Sequence, residues 1–233
     1  WKPTVVRYAD DFVVLHQDRG VIARTWSMAA EGLGRIGLGI MGLSDMLCKL
    51  NLRYDSDAGI EYAEKTVEKI KFWAYDESAN IAAEKCPFPV FNAAKHLENP
   101  FFKDFPPHLI EKIEENGLRN VTLLTIPPTG SIAAMAGVTS GIEPIFDIKY
   151  VRRSESLSES VFQVEHPLIA EYKKISEKRR EDPLPARFVT AHTIAPEKRV
   201  LMQSVLQKHI DQAISSTVNL PKDTSLETVE RIY

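Results

Sequence analysis

The residues with the clearest chemical potential form one short turn in the second half of the chain. The turn consists of Pro128, Thr129, Gly130, Ser131 and Ile132. It follows an apolar run at residues 120–126 that is typical of a strand, and a helix can begin after the glycine. The first backbone N–H groups of a helix and two nearby hydroxyls form a favourable anion site. The pattern therefore predicts a phosphate site, although a plain Pro-Gly turn fits these residues equally well. The P-loop pattern GxxxxGK[ST] is absent.

A pair of adjacent carboxylates, Asp10 and Asp11, lies between two runs of β-branched and aromatic residues. Two carboxylates on a tight turn can hold Mg²⁺ near phosphates. A solvated Asp-Asp turn explains the same residues without any chemistry. We therefore predict no metal site in this chain unless the segment around Asp10 and Asp11 is itself functional.

Three glycines, Gly37, Gly39 and Gly42, match the pattern GxGxxG. A dinucleotide site would need a strand before them and a helix that begins at the pyrophosphate. The preceding residues are not strand-like, and apolar residues recur at helical spacing throughout 35–50. These glycines are therefore predicted to serve the close packing of a helix.

Histidines and cysteines provide no recognisable catalytic group. The histidines have no ligand-like spacing; they are His16, His96, His108, His166, His192 and His209. Cys48 and Cys86 lack the CxxC spacing of a zinc site or redox pair. We predict no catalytic residue in this chain.

Strands and helices must position these residues, and the spacing of apolar residues predicts both. Strands are expected in a hairpin at residues 4–15, joined by the Asp-Asp turn, and at 120–126 and 144–151. Helices are expected at residues 35–50, 57–85, 108–116, after Gly130, at 165–181, and from Pro196 to Ile214. Ser56 or Asp57 can cap the second helix, and Gly117 can end the third. The alternation of strands and helices indicates an α/β fold.

Composition excludes several classes of protein. The 233 residues are 44% hydrophobic and 26% charged, as in globular proteins. The net charge of −3 gives no general attraction to nucleic acids, and no apolar run is long enough to span a membrane. We expect a cytoplasmic protein. Because the sequence begins at Trp1 rather than Met and stops at Tyr233 within charged, helix-forming residues, we expect a piece of a larger protein.

Several longer strings resemble one enzyme family. They are RIGLGIMGLSDMLCKL (35–50), CPFPVF (86–91), NVTLLTIPPTGSIAAMAGVTSGIEPIF (120–146), YVRR (150–153) and HTIAPEKRVLMQSVLQKHIDQAISSTVNLP (192–221). Together they resemble the large catalytic chain of ribonucleotide reductases, and most closely the adenosylcobalamin-dependent class II. The resemblance implies that residues 35–233 form part of a ten-stranded α/β barrel. It also implies that the turn from Pro128 to Ile132 binds the phosphates of the substrate.

The resemblance further implies a function for the parent enzyme. Such enzymes reduce ribonucleotides, here diphosphates, through a thiyl radical that adenosylcobalamin initiates. Their partners are thioredoxin-type reductants and deoxynucleotide effectors, and we expect no membrane or nucleic-acid partner and a homo-oligomeric assembly. The cysteine-containing radical loop of the family has no match here, and Cys48 and Cys86 fit neither cysteine role. We expect this piece to keep the phosphate loop but to be inactive alone.

The first residues resemble a different family. The string VVRYADDFVVL (5–15) is similar to the catalytic hairpin of reverse transcriptases encoded by group II introns. Residues 1–22 are therefore predicted to be a reverse-transcriptase-like fragment and residues 23–34 a junction. The alternative function is a reverse-transcriptase or maturase remnant that binds RNA, and the near-neutral charge argues against it. A non-functional translation product is a third alternative.

Overall fold

The computed structural model describes residues 4–8, 11–15, 34–153, 161–175 and 183–232. The chain divides into two units, each assembled from several segments. The first unit contains residues 1–39, 64–127 and 206–214, and the second contains residues 40–63, 128–205 and 215–233. Strands and helices occur throughout the described residues, which confirms the α/β prediction.

An antiparallel hairpin opens the first unit, as predicted. Its strands are β1 (Thr4–Tyr8) and β2 (Asp11–Leu15), and Tyr8 pairs with Asp11. The prediction that Asp11 belongs to the turn is wrong, because the ladder of paired residues extends as far as this aspartate. Asp10 lies outside the described residues.

The glycine-rich segment contains a strand that the sequence analysis missed. β3 (Arg35–Leu38) runs parallel to β4 (Thr122–Leu124), and helix α1 begins only at Leu43 and spans Leu43–Lys49. A Cβ atom added to Gly37 would lie 2.5 Å from Cγ2 of Thr125, and one added to Gly39 would lie 2.3 Å from its carbonyl oxygen. The glycines thus serve close packing, as predicted, but between strands. The prediction of a helix from residue 35 is wrong.

The longest helix, α2 (Asp57–Lys85), has the predicted bounds. Ser56 caps it, since its Oγ accepts a hydrogen bond of 3.1 Å from the backbone N–H of Gly59. The helix ends before Cys86, which has a φ angle of 66°. Two shorter helices follow, α3 (Ala93–Leu97) and α4 (Pro107–Asn116). Gly117, at φ 75°, ends α4 as predicted.

The second unit contains the remaining regular elements. They are α5 (Gly130–Ala136), the antiparallel pair β5 (Lys149–Arg153) and β6 (Val161–Glu165), α6 (Pro167–Ile175), α7 (Pro196–Gln207) and α8 (Leu226–Ile232). The strand predicted at residues 144–151 is found later, as β5. The helix predicted at 165–181 begins only at Pro167, because Glu165 belongs to β6; it is confirmed as far as Ile175, and residues 176–181 lie outside the described residues. A buried cluster of Cys48, Ile145 and Ile169 forms part of the core.

Helix α7 begins at Pro196 as predicted but ends seven residues before the predicted Ile214. The following residues belong to the first unit, where they run beside β4. The N–H of Gln212 donates to the carbonyl of Leu124 at 3.0 Å, and the N–H of Ile126 donates to the carbonyl of Ala213 at 3.1 Å. These pairings use backbone groups that a longer helix would need for its own hydrogen bonds. They explain why the helical pattern of the sequence continues to Ile214 although the helix ends at Gln207.

Candidate phosphate-binding site

The strand before the predicted phosphate turn is held by one carboxylate in the first unit. Asp211 accepts hydrogen bonds from the N–H groups of Leu123 (2.8 Å) and Leu124 (2.9 Å), and from the hydroxyl of Tyr75 (2.7 Å). Leu123 and Leu124 are fully buried, as predicted for this strand. These bonds therefore fix β4 within the first unit.

The five residues of the predicted site form the turn between β4 and α5. We call these residues, Pro128, Thr129, Gly130, Ser131 and Ile132, the phosphate loop. Pro128, Gly130 and Ser131 are exposed, Thr129 is half-buried, and Ile132 is buried. Helix α5 begins at Gly130, so the predicted order of strand, turn and helix is confirmed. The first N–H groups of a helix have no intrahelical acceptor, so those of α5 can donate to an anion.

Thr129 has an unusual conformation for a β-branched residue. Its φ and ψ angles are 48° and 21°, in the left-handed region that such residues rarely adopt. Its hydroxyl accepts a hydrogen bond of 2.9 Å from the N–H of Gly141. A hydroxyl that accepts such a bond keeps its own hydrogen as a donor. Thr129 can therefore offer a hydrogen bond to an anion while it remains anchored.

Open space lies in front of the loop at Gly130. A Cβ atom added there would meet no atom of the described residues within 4 Å. Unlike Gly37 and Gly39, this glycine is not required by packing against its own chain. An absent side chain beside free N–H groups permits another molecule to approach the backbone closely.

The phosphate loop contains only neutral groups. Between Arg119 and Glu143 the sequence has no charged residue. An anion at this loop would be bound by backbone N–H groups, by hydroxyls and by the dipole of α5. The site differs in this respect from phosphate sites that are built on lysine or arginine.

A second turn, residues 139–143, lies beside the phosphate loop and is anchored by buried side chains. Asp45 accepts a hydrogen bond of 2.8 Å from the N–H of Thr139. The hydroxyl of Tyr54 donates to the carbonyl of Ile142 at 2.6 Å. Burial raises the pKa of Tyr54 above its ordinary value, so the hydroxyl stays protonated and remains a donor.

Glu143 ends this turn with two partners of its own. Its Oε1 accepts a hydrogen bond of 2.9 Å from the N–H of Thr217. Its Oε2 lies 3.2 Å from Nη2 of Arg199, whose side chain is only 4% exposed. The sequence patterns predict no chemical role for this glutamate. A glutamate inside an otherwise uncharged segment was the available signal, but its partners are 56 and 74 residues away.

The other groups considered in the sequence analysis do not gather into a site. Among the described residues, no three histidine, cysteine, aspartate or glutamate side chains lie close enough together to hold a metal ion. His96 lies among phenylalanine rings, His166 lies 3.6 Å from Asp45, and His209 lies 3.8 Å from Glu64.

The two cysteines lie in different environments. Cys48 is buried, and its thiol donates a hydrogen bond of 3.3 Å to the carbonyl of Arg187. Burial, assisted by the negative charge of Asp45, raises the pKa of the thiol to about 11. Cys86 is exposed at the end of α2. Cys48 is therefore a poor nucleophile at neutral pH.

No helix among the described residues has the length and the apolar character that crossing a bilayer requires.

Comparison with known proteins identifies the family. The chain matches the ribonucleotide reductase barrel domain over residues 17–233. It is 32% identical over 221 residues to the vitamin B12-dependent ribonucleoside-diphosphate reductase of Mycobacterium tuberculosis, which covers 88% of this chain and 30% of the relative. It is 31% identical over 217 residues to the enzyme of the same name from Thermoplasma acidophilum, covering 85% of this chain and 26% of the relative.

A relative with a different name also aligns. The ribonucleoside-diphosphate reductase subunit alpha of Helicobacter pylori is 29% identical over 253 residues, which covers 99% of this chain and 30% of that protein. The chain thus spans about 30% of the length of these relatives. The family match begins at residue 17, inside the segment assigned to the leader, so the boundary between leader and barrel stays a prediction. With the match extending over nearly all its residues, this chain belongs to the family of ribonucleotide reductase barrel domains.

Proposed function

We propose that this chain is part of an adenosylcobalamin-dependent ribonucleoside-diphosphate reductase, which converts ribonucleotides into deoxyribonucleotides. The names of the Mycobacterium tuberculosis and Thermoplasma acidophilum relatives support this function. The observation in the structure that carries the proposal is the phosphate loop, with its anchored Thr129 and the open space at Gly130. The substrate is a ribonucleoside diphosphate.

The loop would hold the diphosphate of the substrate. Backbone N–H groups of Gly130, Ser131 and Ile132, together with the hydroxyls of Thr129 and Ser131, would donate to the phosphate oxygens. The hydrogen bond between Thr129 and Gly141 helps to fix the conformation of the loop that carries these donors. Preorganised donors bind without further ordering of the chain, which favours affinity.

Adenosylcobalamin would supply the radical when it is bound to the complete enzyme. The residues described here provide no recognisable cobalamin ligand, because the half-buried His96 packs against a phenylalanine ring, and the half-buried His166 and the buried His209 lie within 4 Å of carboxylates. Support for its assignment comes from the names of the relatives.

Turnover would require cysteines that this chain does not offer. Cys48 has a raised pKa and a buried, hydrogen-bonded thiol, and Cys86 lies at the exposed end of a helix. We propose that the piece binds diphosphate but is inactive alone. Thioredoxin-type reductants, deoxynucleotide effectors, a homo-oligomeric state and a cytoplasmic location belong to the proposal for the complete enzyme.

The proposed architecture extends beyond the six strands described. We propose that residues 35–233 are part of a ten-stranded barrel, with residues 23–34 as a junction and residues 1–22 as a reverse-transcriptase-like leader. The family match favours the reductase over the alternative of an RNA-binding maturase remnant. The β1–β2 hairpin is the only described feature that the alternative explains.

Calorimetric titration with ADP and with adenosine tests the proposed function. If the phosphate loop is the site, ADP binds at least tenfold more tightly than adenosine, and inorganic pyrophosphate competes with ADP. Equal affinity for ADP and adenosine, or the absence of competition, would contradict the proposal. A reductase assay of the same chain with adenosylcobalamin and a dithiol should yield no deoxynucleotide.

A further inference from the structure

The conformation of the phosphate loop depends on the neighbouring turn at residues 139–143. The only side-chain hydrogen bond of Thr129 among the described residues comes from the N–H of Gly141 in that turn. Gly141 is buried and has a φ angle of 46°. A displacement of the turn would therefore either break this bond or carry Thr129 with it. The rarely adopted conformation of Thr129 makes this residue of the loop sensitive to the loss of its anchor.

The far end of the turn is fixed by Glu143. The N–H of Glu143 donates to the carbonyl of Ser140 at 2.8 Å, which closes the turn. Its carboxylate bridges two separate segments, through the N–H of Thr217 and the guanidinium of Arg199. Both oxygen atoms are engaged, so rotation of the side chain would cost one contact or the other. The carboxylate thus joins the turn to α7 and to residues 215–219 within the second unit.

The contact between Glu143 and Arg199 is an ion pair with a buried cation. The guanidinium of Arg199 is almost fully buried, and Glu143 is the carboxylate paired with it among the described residues. Arg199 also lines a small cavity together with Pro144, Ala191, Ile194, Pro196, Thr217, Val218 and Asn219. A buried cation that loses its counter-charge is strongly destabilised, and its surroundings rearrange to solvate it. Neutralising Glu143 would thus disturb the end of the turn.

We propose that Glu143 is a positioning residue for the phosphate loop, because it holds the turn whose Gly141 N–H anchors Thr129. The inference rests on the proposed function, in which this loop binds the diphosphate. Glu143 does not touch the ligand. It acts through Gly141 and Thr129, and this indirect route can be tested separately from binding itself.

Titration with inorganic pyrophosphate measures the effect. Glu143→Gln keeps an oxygen that can accept from Thr217 but loses the charge opposite Arg199. We expect its Kd for pyrophosphate to rise about tenfold. The matched control is Glu197→Gln, which removes the same charge from an exposed pair with Arg231 at 2.8 Å. Its Kd should stay within twofold of the wild-type value.

A double-mutant cycle separates positioning from a general loss of structure. Thr129→Val removes the hydroxyl through which Glu143 acts. If the route is correct, Glu143→Gln changes Kd less than twofold in the Thr129→Val background, because the connection is already broken. An undiminished tenfold effect in that background would overturn the inference, since the two residues would then act independently.

Failure of the inference and failure of the proposed function give different results. If the wild-type chain does not bind pyrophosphate, both the proposed function and the role of Glu143 are refuted. If it binds and Thr129→Val weakens binding while Glu143→Gln does not, the phosphate loop stands and the role of Glu143 is refuted. If Glu143→Gln does not fold, Glu143→Asp, which is too short to reach both partners, replaces it in the cycle with the same expectations.

Discussion

At the scale of single residues, a few carboxylates organise the described chain. Asp211, Asp45 and Glu143 each accept from backbone N–H groups that are distant in sequence. A carboxylate that accepts such bonds replaces the hydration of both partners, and removing it leaves buried donors without acceptors. The sequence patterns predict no role for these three residues, because a single acidic side chain has no local pattern that reveals its partners. The sequence could single out the turn from Pro128 to Ile132 because its residues are contiguous; the binding of phosphate by this turn stays a prediction.

Asp211 provides the clearest test at this scale. Asp211→Ala leaves the N–H groups of Leu123 and Leu124 and the hydroxyl of Tyr75 without their acceptor, and we expect a loss of about 3 kcal/mol in the free energy of unfolding. Tyr75→Phe removes only one of these bonds and should cost about 1 kcal/mol. Urea denaturation measures both values. Equal losses for the two variants would show that Asp211 does not hold β4.

At the scale of elements, prediction succeeded where the signal is local and long. The bounds of α2, the end of α4 at Gly117 and the start of α7 at Pro196 all follow from spacing and caps. The error at residues 35–38 has a physical origin. Short apolar runs fit both helical and extended periods, and contact with β4, some 85 residues later, selects the strand. The early end of α7 likewise reflects pairing beside β4.

Two glycine substitutions test this account of the elements. Gly39→Ala would place a Cβ 2.3 Å from a backbone oxygen, which must separate the segment after β3 from Thr125 and should cost about 2 kcal/mol. Gly130→Ala adds the same methyl group to open space and should change the free energy of unfolding by less than about 0.5 kcal/mol. Thermal or urea unfolding distinguishes them. If Gly130→Ala is the more destabilising variant, the space in front of Gly130 cannot hold a methyl group and is not open.

At the scale of the whole molecule, the chain belongs to a barrel family and spans about 30% of the length of its relatives. Each of its two units nevertheless has buried apolar residues and buried ionisable groups. Burial lowers the pKa of His96, His166 and His209 below the ordinary value of 6.5. In His166 the charge of Asp45 opposes this effect, and in His209 the charge of Lys71 adds to it. Acidic pH is therefore expected to lower the stability of the folded chain.

The sign of this pH dependence follows from proton binding. These histidines bind protons more weakly in the folded chain than in the unfolded chain, so unfolding takes up protons at acidic pH. Their contribution to stability is complete above pH 6.5 and is lost as the pH falls below that value. We expect the urea midpoint to decrease between pH 7.5 and pH 5.5. His96→Gln should reduce this decrease, and a midpoint that rises on acidification would contradict the assignment.

Because the two cysteines differ in exposure, the labelling of their thiols can report local opening of the folded chain. With one thiol exposed at the end of α2 and the other buried with a pKa of about 11, an alkylating reagent at neutral pH should mark the folded chain once, at Cys86. Cys48 becomes reactive only when the cluster around Ile145 and Ile169 opens. The delay between the labelling of Cys86 and the labelling of Cys48 then measures the rate of this opening. It reports how often this part of the core opens under conditions in which the rest of the protein is native.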